Sequence, residues 1–222
     1  MRGRASTSRQ WWRRGIMKSV APADLDRFFR ALAERLPCPV RIVLTGGGEA
    51  LVLGGVRPTA DLDLQLVVDD RRTVHLPAIE AAIAAAGHQS GVVVQYATDI
   101  DRWSSVSIPP SRRRTRPFRR VGRLSIHLLD PLCWAIYKLS RYLESDVTDL
   151  RAVLRRQRVS WRRLAVLCGE SLRASPRSTQ LVLFRRQVEH FFRTEGPAIW
   201  GARFDPTRSI DAFRAAARIP SP

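Results

Sequence analysis

The stretch from residue 40 to residue 66 constrains the fold more than any other part of the chain. It begins with VRIVLT (40–45), a β-branched apolar run that predicts a buried strand. Three glycines follow at 46–48 and predict a tight turn, after which EALVL predicts a short helix that ends at Gly54 and Gly55. A strand that passes through a glycine turn into a helix is typical of an α/β protein.

The next predicted strand carries paired carboxylates. In DLDLQLVV (61–68) polar and apolar residues alternate, so Asp61 and Asp63 lie on one face and the leucines on the other. Two carboxylates on one face repel each other unless a cation lies between them. Hard oxygen ligands suit Mg²⁺, which takes the rest of its shell from water and substrate phosphates. The neighbouring glycine turn lets a phosphate approach the backbone N–H groups.

The hydrophobic pattern changes character at about residue 130. Before it, strands and helices alternate, and after it only helices are predicted. The predicted helices cover 22–36, 49–53, 76–87, 131–144, 146–157, 160–174, 178–194 and 210–218, and the predicted strands cover 40–45, 61–68, 92–97 and 123–129. We therefore expect a basic N-terminal tail (1–19), an α/β domain (20–130) and a helical C-terminal domain (131–222).

The chain is strongly basic. It has 38 lysines and arginines against 20 acidic residues, a net charge of +18, and a field of this kind attracts polyanions such as nucleic acids. An alternative is that a GC-rich genome merely favours arginine codons, since every cation except Lys18 and Lys138 is arginine. Lys138 departs from that habit on a predicted helix, where a compact ammonium can meet a triphosphate or, alternatively, lie along the surface.

The segment PPSRRRTRPFRR (109–120) has six arginines and three prolines, which predict an irregular loop without regular structure. Such a loop can hold an RNA backbone or departing pyrophosphate, or it can be a solvated loop without a ligand.

The sequence argues against a membrane protein and against a disulfide scaffold. No uncharged apolar run is long enough for a membrane helix, and the basic N-terminus lacks the apolar region of a secretory signal. The three scattered cysteines, Cys38, Cys133 and Cys168, fit a reducing cytoplasm, where we expect the protein to reside.

Four motifs in order resemble those of the nucleotidyltransferase (polymerase-β-like) superfamily, and especially the small bacterial branch that includes the AbiEii-type toxins. The first two are the glycine turn at 46–48 and the segment RPTADLD (57–63). The other two are KLSR (138–141) and DVTDL (146–150) in the helical half. The resemblance covers residues 46–150 and leaves the last part of the chain without a match.

The resemblance implies a fold, a cofactor and a set of site residues. The fold would be a nucleotidyltransferase-like α/β (α+β) mixed sheet with flanking helices, followed by an all-helical region. The cofactor would be Mg²⁺, as two ions, with an NTP as substrate. The implied metal ligands are Asp61 and Asp63, the implied catalytic residues are Asp61, Asp63, Lys138 and Asp149, and the implied nucleotide-binding residues are Gly47, Gly48, Arg57, Thr59, Lys138 and Arg141.

Two questions stay open at this point. Many nucleotidyltransferases carry a third carboxylate on a later strand, and here Asp99, Asp101 and Asp130 are the candidates. Without one of them, a two-carboxylate site remains. Asp146 is expected to cap its helix, whereas Asp149 either orients Lys138 or serves the site, for example as a general base.

The resemblance implies transfer of an NMP from an NTP to RNA (a tRNA 3′ end) or to a protein side chain, in a toxin with a partner antitoxin. A nucleotidyltransferase that modifies a small antibiotic is one alternative. Another is a basic nucleic-acid-binding or nucleotide-sensing protein whose site no longer turns over.

Overall fold

The computed structural model of the chain describes residues 19–67, 75–99 and 104–219. The strands are β1 (Val40–Thr45), β2 (Asp61–Val67), β3 (Val93–Ala97), β4 (Thr115–Val121) and β5 (Leu124–Leu129). The helices are α1 (Pro22–Arg35), α2 (Gly46–Leu53), α3 (Leu76–Ser90), α4 (Pro131–Arg141), α5 (Glu144–Arg156), α6 (Trp161–Ala174), α7 (Thr179–Thr194), α8 (Gly196–Trp200) and α9 (Pro206–Ala217).

The strands form one mixed sheet in the order β3-β2-β1-β5-β4. β1 pairs antiparallel with β2 and parallel with β5, β2 pairs parallel with β3, and β4 pairs antiparallel with β5. The central position of β1 explains its nearly continuous apolar sequence, because both of its faces are covered. The predicted α/β sheet with flanking helices and a helical C-terminal part is thus confirmed.

The antiparallel pair β1–β2 brings the glycines at 46–48 and the acids of β2 into one place. Thr45, the last residue of β1, lies opposite Asp63. Because Gly46 follows Thr45 directly, the first turn of α2 begins beside the carboxylates of β2. The register therefore places the glycines and the acids at the same edge of the sheet.

A continuous hydrophobic core joins the sheet to the C-terminal helices. α4 links them, because its residues from Leu132 to Ser140 are all buried. Within this core, α7 packs against α8 through an aromatic cluster, which consists of Phe191, Phe192, Trp200 and Phe204. All three cysteines are free thiols.

The segment 109–120 is only partly irregular, so the prediction of a loop throughout is wrong. Residues 115–121 form β4, an edge strand that pairs with β5 after a turn in which Gly122 has a φ of +51°. An edge strand needs no buried face, so arginines are tolerated, and the register shift beside Pro117 accommodates the proline. Pairing with a buried neighbour outweighs the local composition.

Two further differences concern helices. The three glycines, for which we keep the name glycine turn, form the first turn of α2 itself instead of a separate turn before it. The short helix α8 has no counterpart among the predicted helices.

The predicted basic tail lies outside the described residues, apart from Ser19. Within the described residues, every helix is too short or too polar to cross a bilayer.

Candidate active site

The candidate active site is a small cavity at the carboxyl end of β1. It is lined by Thr45 and Gly46 from the sheet edge, by Asp63 from β2, and by four residues that follow one face of α4: Trp134, Tyr137, Lys138 and Arg141. The α4 residues share a face because they are spaced three and four apart. The cavity therefore combines a carboxylate, a glycine turn and two cations.

Gly46 is required by the backbone and by its neighbour. It has a φ of +63°, and a Cβ at this position would lie 2.0 Å from Oδ2 of Asp63. The Gly46 carbonyl also accepts a hydrogen bond from Nε1 of Trp134 at 3.0 Å, which ties α4 to the sheet edge. The sequence motif contained Gly46, but its spacing alone did not distinguish it from the two glycines that follow.

Gly47 and Gly48 are required by close packing. A Cβ on Gly47 would lie 2.3 Å from Oγ1 of Thr59, and a Cβ on Gly48 would lie 2.7 Å from Leu62. Both glycines belong to the first turn of α2, whose N–H groups have no partner within the helix. A helix N-terminus can bind a phosphate, but Gly47 and Gly48 are buried, and of the three glycines only Gly46 lines the cavity.

The two carboxylates of β2 lie in different environments. Asp61 accepts a hydrogen bond from Nε2 of Gln95 at 2.7 Å. Asp63 is deeper, and burial together with the negative charge of Asp61 raises its pKa to about 6. The guanidinium of Arg141 and the ammonium of Lys138 oppose this rise only in part. A buried carboxylate beside a second one is the situation that a cation relieves.

Oxygen ligands for Mg²⁺ are present, in the form of Asp61 and Asp63. The described residues contain no group of three or more His, Cys, Asp or Glu side chains placed to hold a metal. Mg²⁺ commonly uses one or two carboxylates and takes its other ligands from water and substrate phosphates. The donor set therefore fits Mg²⁺ with a bound nucleotide better than a closed protein site.

None of the described candidates for a third acid lies beside this pair. Asp130 caps α4, accepting the Leu132 N–H at 2.9 Å, and faces a different cavity. Asp99 follows the far end of β3, about 20 Å along the strand from the level of Asp61. Asp101 lies outside the described residues.

The neighbouring strand instead presents an amide. Gln95 lies opposite Asp63 in the parallel β2–β3 pair and reaches Asp61. The pattern of VVVQYA places Gln95 on a strand, but it does not indicate that this strand pairs with β2. A carboxylate at this position would add a third negative charge, whereas the amide adds a neutral donor and acceptor.

Lys138 is the centre of a buried ion-pair network. Its Nζ lies 2.8 Å from Oδ1 of Asp146 and 2.9 Å from Oδ2 of Asp149, and its side chain is only 3% exposed. Oδ1 of Asp146 also lies 2.7 Å from Nη2 of Arg141, and Oδ2 of Asp149 lies 3.4 Å from Nη2 of Arg57. The alternative that Lys138 lies along the surface is therefore wrong. Asp149 contacts Lys138, which is one of the two roles that the sequence leaves open for Asp149.

The network joins the segment before β2 to the helical part of the chain, because Arg57 contacts Asp149. Asp146 stands in the first turn of α5, where its carboxylate also accepts the Leu143 N–H at 3.4 Å. Leu143, rather than Asp146, occupies the N-cap position, so that detail of the prediction is wrong. The pKa of Asp146 is lowered, because Lys138 and Arg141 outweigh the opposing effect of its burial.

The remaining motif residues have supporting positions. Thr59 is buried and donates to the carbonyl of Asp61 at 3.1 Å, so it holds the turn before β2 rather than facing the cavity. Arg57 contacts Asp149 and does not line the cavity with Asp63. Arg141 does line it and has a side chain that is 39% exposed, which makes it the accessible cation.

Comparison with known proteins gives no match for this chain: no family model fits it, and neither a curated protein nor a solved structure is similar to it. The resemblance to nucleotidyltransferases accordingly rests on the sequence motifs alone.

Proposed function

We propose that the protein is a Mg²⁺-dependent nucleotidyltransferase, which transfers an NMP from an NTP to a hydroxyl acceptor. The observation that carries the proposal is that the strand register sets Asp63 beside the start of α2, where Asp63, Gly46 and Arg141 line one cavity. A cavity lined by a carboxylate of one strand and by the N-terminus of a helix suits a divalent cation and the phosphates of a nucleoside triphosphate.

Each side chain has an assigned task. Asp61 and Asp63 would hold Mg²⁺, which supplies positive charge to the triphosphate and favours deprotonation of the acceptor hydroxyl. The first turn of α2, which begins at Gly46 in the cavity and continues through Gly47 and Gly48, would present its partial positive charge to phosphate oxygens. Arg141 would contact a phosphate directly, because it reaches the cavity and is partly exposed.

Lys138 has a more indirect task in this proposal. Both of its neighbouring carboxylates already bind it, so it contributes charge behind the cavity and fixes Arg141 through Asp146. Asp149 orients Lys138 from the other side, and Oδ1 of Asp149 is buried with no hydrogen-bond partner among the described residues. We retain Lys138 and Asp149 as residues on which transfer depends, acting by position and charge.

The acceptor is RNA, such as a tRNA, or a protein side chain, and the biological role that the motifs suggest is that of a toxin restrained by an antitoxin. The high positive charge favours RNA over a small antibiotic.

Labelled nucleotide provides the test. The protein is incubated with each α-³²P-labelled NTP, Mg²⁺ and total tRNA, and the products are separated by denaturing electrophoresis. We expect label on RNA, or on protein, with the unmodified chain and none with Asp61→Asn. Asp211→Asn, which removes an exposed acid on α9, is the matched control and should label normally.

The same experiment separates the alternatives. Label that appears only on an added aminoglycoside would select the small-molecule enzyme. Nucleotide affinity without label on any acceptor would select a sensor, and equal labelling by Asp61→Asn would refute the assignment of the site.

A further inference from the structure

A second cavity, of about 320 Å³, opens at the other end of α4. It lies between the segment 109–114, the first turn of α4 and the first turns of α6. Its charged lining consists of Arg112, Arg114, Asp130, Arg162, Arg163 and Glu170, and buried Cys133 lies among its apolar walls. None of these residues takes part in the candidate active site.

The two acids of this cavity are already engaged. Glu170 pairs with Arg112 at 2.7 Å, and Asp130 accepts the first free N–H of α4. Arg114, Arg162 and Arg163 form no ion pair with any of the described residues, and all three are exposed. Three guanidinium groups are therefore gathered around one concave surface without an acidic partner in the described part of the chain.

The helix dipole makes this arrangement unfavourable by itself. Arg162 and Arg163 stand in the first turn of α6, which contains no acidic residue, and the N-terminus of a helix already carries partial positive charge. Cations at this end repel the exposed N–H groups, whereas an anion bound between them would satisfy both. The sequence thus maintains positive charge where the stability of the helix alone disfavours it.

The adjoining strand extends the basic surface. β4 begins immediately after Arg114, and its residues Arg116 and Arg120 are exposed. Between them Phe118 exposes 45% of its surface at the register shift of the strand. Arginines interleaved with an exposed aromatic ring are the combination that binds a sugar–phosphate backbone and stacks a base. A lone phosphate would use the cavity but not the strand.

We propose that this cavity and the exposed side of β4 bind the backbone of a single-stranded nucleic acid. Arg114, Arg162 and Arg163 contact consecutive phosphates in the cavity, and Phe118 stacks on a base beside it. The site is separate from the carboxylates of β2, and binding here does not depend on the transfer reaction.

The test measures binding of a fluorescein-labelled 20-nucleotide RNA by fluorescence anisotropy over a range of salt concentrations. The double variant R162Q/R163Q should bind about 10-fold more weakly, a loss of about 1.4 kcal/mol, because two solvent-exposed charge contacts with phosphates are removed. Its slope of log K against log salt should fall by about 1 to 1.5, since each phosphate contact on a single strand contributes about 0.7. Phe118→Ala should weaken binding and leave the salt slope unchanged.

Two matched proteins make the result specific. R203Q/R208Q removes the same charge from two exposed arginines outside the cavity and should bind RNA almost as the unmodified chain does. Asp61→Asn should also bind RNA normally, so loss of transfer and loss of RNA binding can be told apart. Urea unfolding of each variant verifies that the fold is retained.

The proposal is overturned if R203Q/R208Q weakens RNA binding as much as R162Q/R163Q does, because overall charge would then account for binding. It is also overturned if R162Q/R163Q loses affinity for inorganic triphosphate while RNA binding is unchanged. In that case the cavity holds a free phosphate compound instead of a nucleic acid.

Discussion

At the scale of single residues, the buried Lys138 shows how charge is arranged behind the proposed active site. One ammonium lies between two carboxylates, and each carboxylate also receives an arginine from a different element. Arginine could not replace Lys138 in this position without displacing its neighbours, because its guanidinium is wider than an ammonium. That requirement gives a physical reason for one of only two lysines in a chain that otherwise uses arginine.

Lys138→Met should destabilise the protein strongly. The substitution keeps the length of the side chain but leaves Asp146 and Asp149 buried near each other, and removing one partner of a buried pair costs about 3–5 kcal/mol. Urea unfolding monitored by circular dichroism measures the loss. Adding Asp149→Asn should restore part of the stability, because it removes one uncompensated charge. A loss below about 1 kcal/mol would show that Lys138 is not buried as described.

Gly46→Ala tests the contact between the glycine turn and the carboxylate. Gly91 is the matched control, because its φ of +69° is similar while a Cβ there would meet nothing within 4 Å. Both alanines should lose about 1–2 kcal/mol of unfolding free energy from the left-handed backbone. Only Gly46→Ala should abolish Mg²⁺-dependent NTP binding in calorimetry, since only it displaces Asp63. Equal NTP affinity in the two variants would contradict the proposed site.

We expect the buried Glu49 to give the protein an unusual dependence of its folding stability on pH. Its carboxyl group is fully buried, and this burial raises its pKa well above the usual value, an effect that the backbone N–H of Leu129 opposes only in part. The folded state thus keeps the proton that the unfolded chain releases, so this contribution to stability is present at low pH. It is lost as the pH rises toward the raised pKa.

Glu49→Gln removes that contribution while keeping the shape of the side chain. The variant should be more stable than the unmodified protein at pH 8, and the difference should shrink toward pH 4. Urea unfolding at several pH values measures it. A difference that does not change with pH would mean that Glu49 is not buried as an uncharged group.

At the scale of elements, the sequence predicts those whose hydrophobic pattern matches their burial. α1 buries Leu25, Phe28, Phe29 and Leu32 as its spacing predicts, and β2 alternates between half-exposed and buried residues. β4 could not be predicted, because all of its residues except the half-buried Val121 are exposed and no apolar alternation marks it as a strand. Periodicity reports burial, so it says nothing about an exposed edge strand.

The sequence predicts the motif residues of the candidate site but not the residues that contact them. Spacing placed Asp61 and Asp63 on one face, and the antiparallel register then set Asp63 beside Gly46. The hydrogen bond from Gln95 to Asp61 depends on the order of the strands, and the one from Trp134 to Gly46 depends on how α4 packs on the sheet. The local sequence pattern encodes neither of them. Pairings between elements distant in sequence are the part that required the structure.

The close packing of α6 against α9 requires a glycine at residue 169. A Cβ on Gly169 would lie 2.5 Å from the carbonyl oxygen of Phe213 and 2.6 Å from the Cβ of Ala216. Since those atoms belong to the opposing helix and not to a flexible side chain tip, Gly169→Ala must push α9 away. Overpacking of this kind costs about 1–3 kcal/mol, which thermal or urea unfolding would detect. A neutral or stabilising effect would show that the two helices are not in this contact.

At the scale of the whole molecule, the proposed functions occupy the two ends of one helix. The middle and end of α4 face Asp63 and the glycine turn, and its beginning faces the arginine-lined cavity. From Leu132 to Lys138 the helix rises about 9 Å, so a nucleic acid held at one end would reach toward the other. The net charge of +18 supplies the long-range attraction that such a ligand requires.

The central claim is that Asp61 and Asp63 share a divalent cation with the phosphates of an NTP. Crystals of the protein soaked with Mn²⁺ and a non-hydrolysable NTP test it directly, because anomalous scattering locates Mn²⁺ without reference to a model. We predict a peak in contact with both carboxylates and with the triphosphate at the start of α2. Mn²⁺ and nucleotide bound elsewhere, with these two carboxylates vacant, would contradict the account.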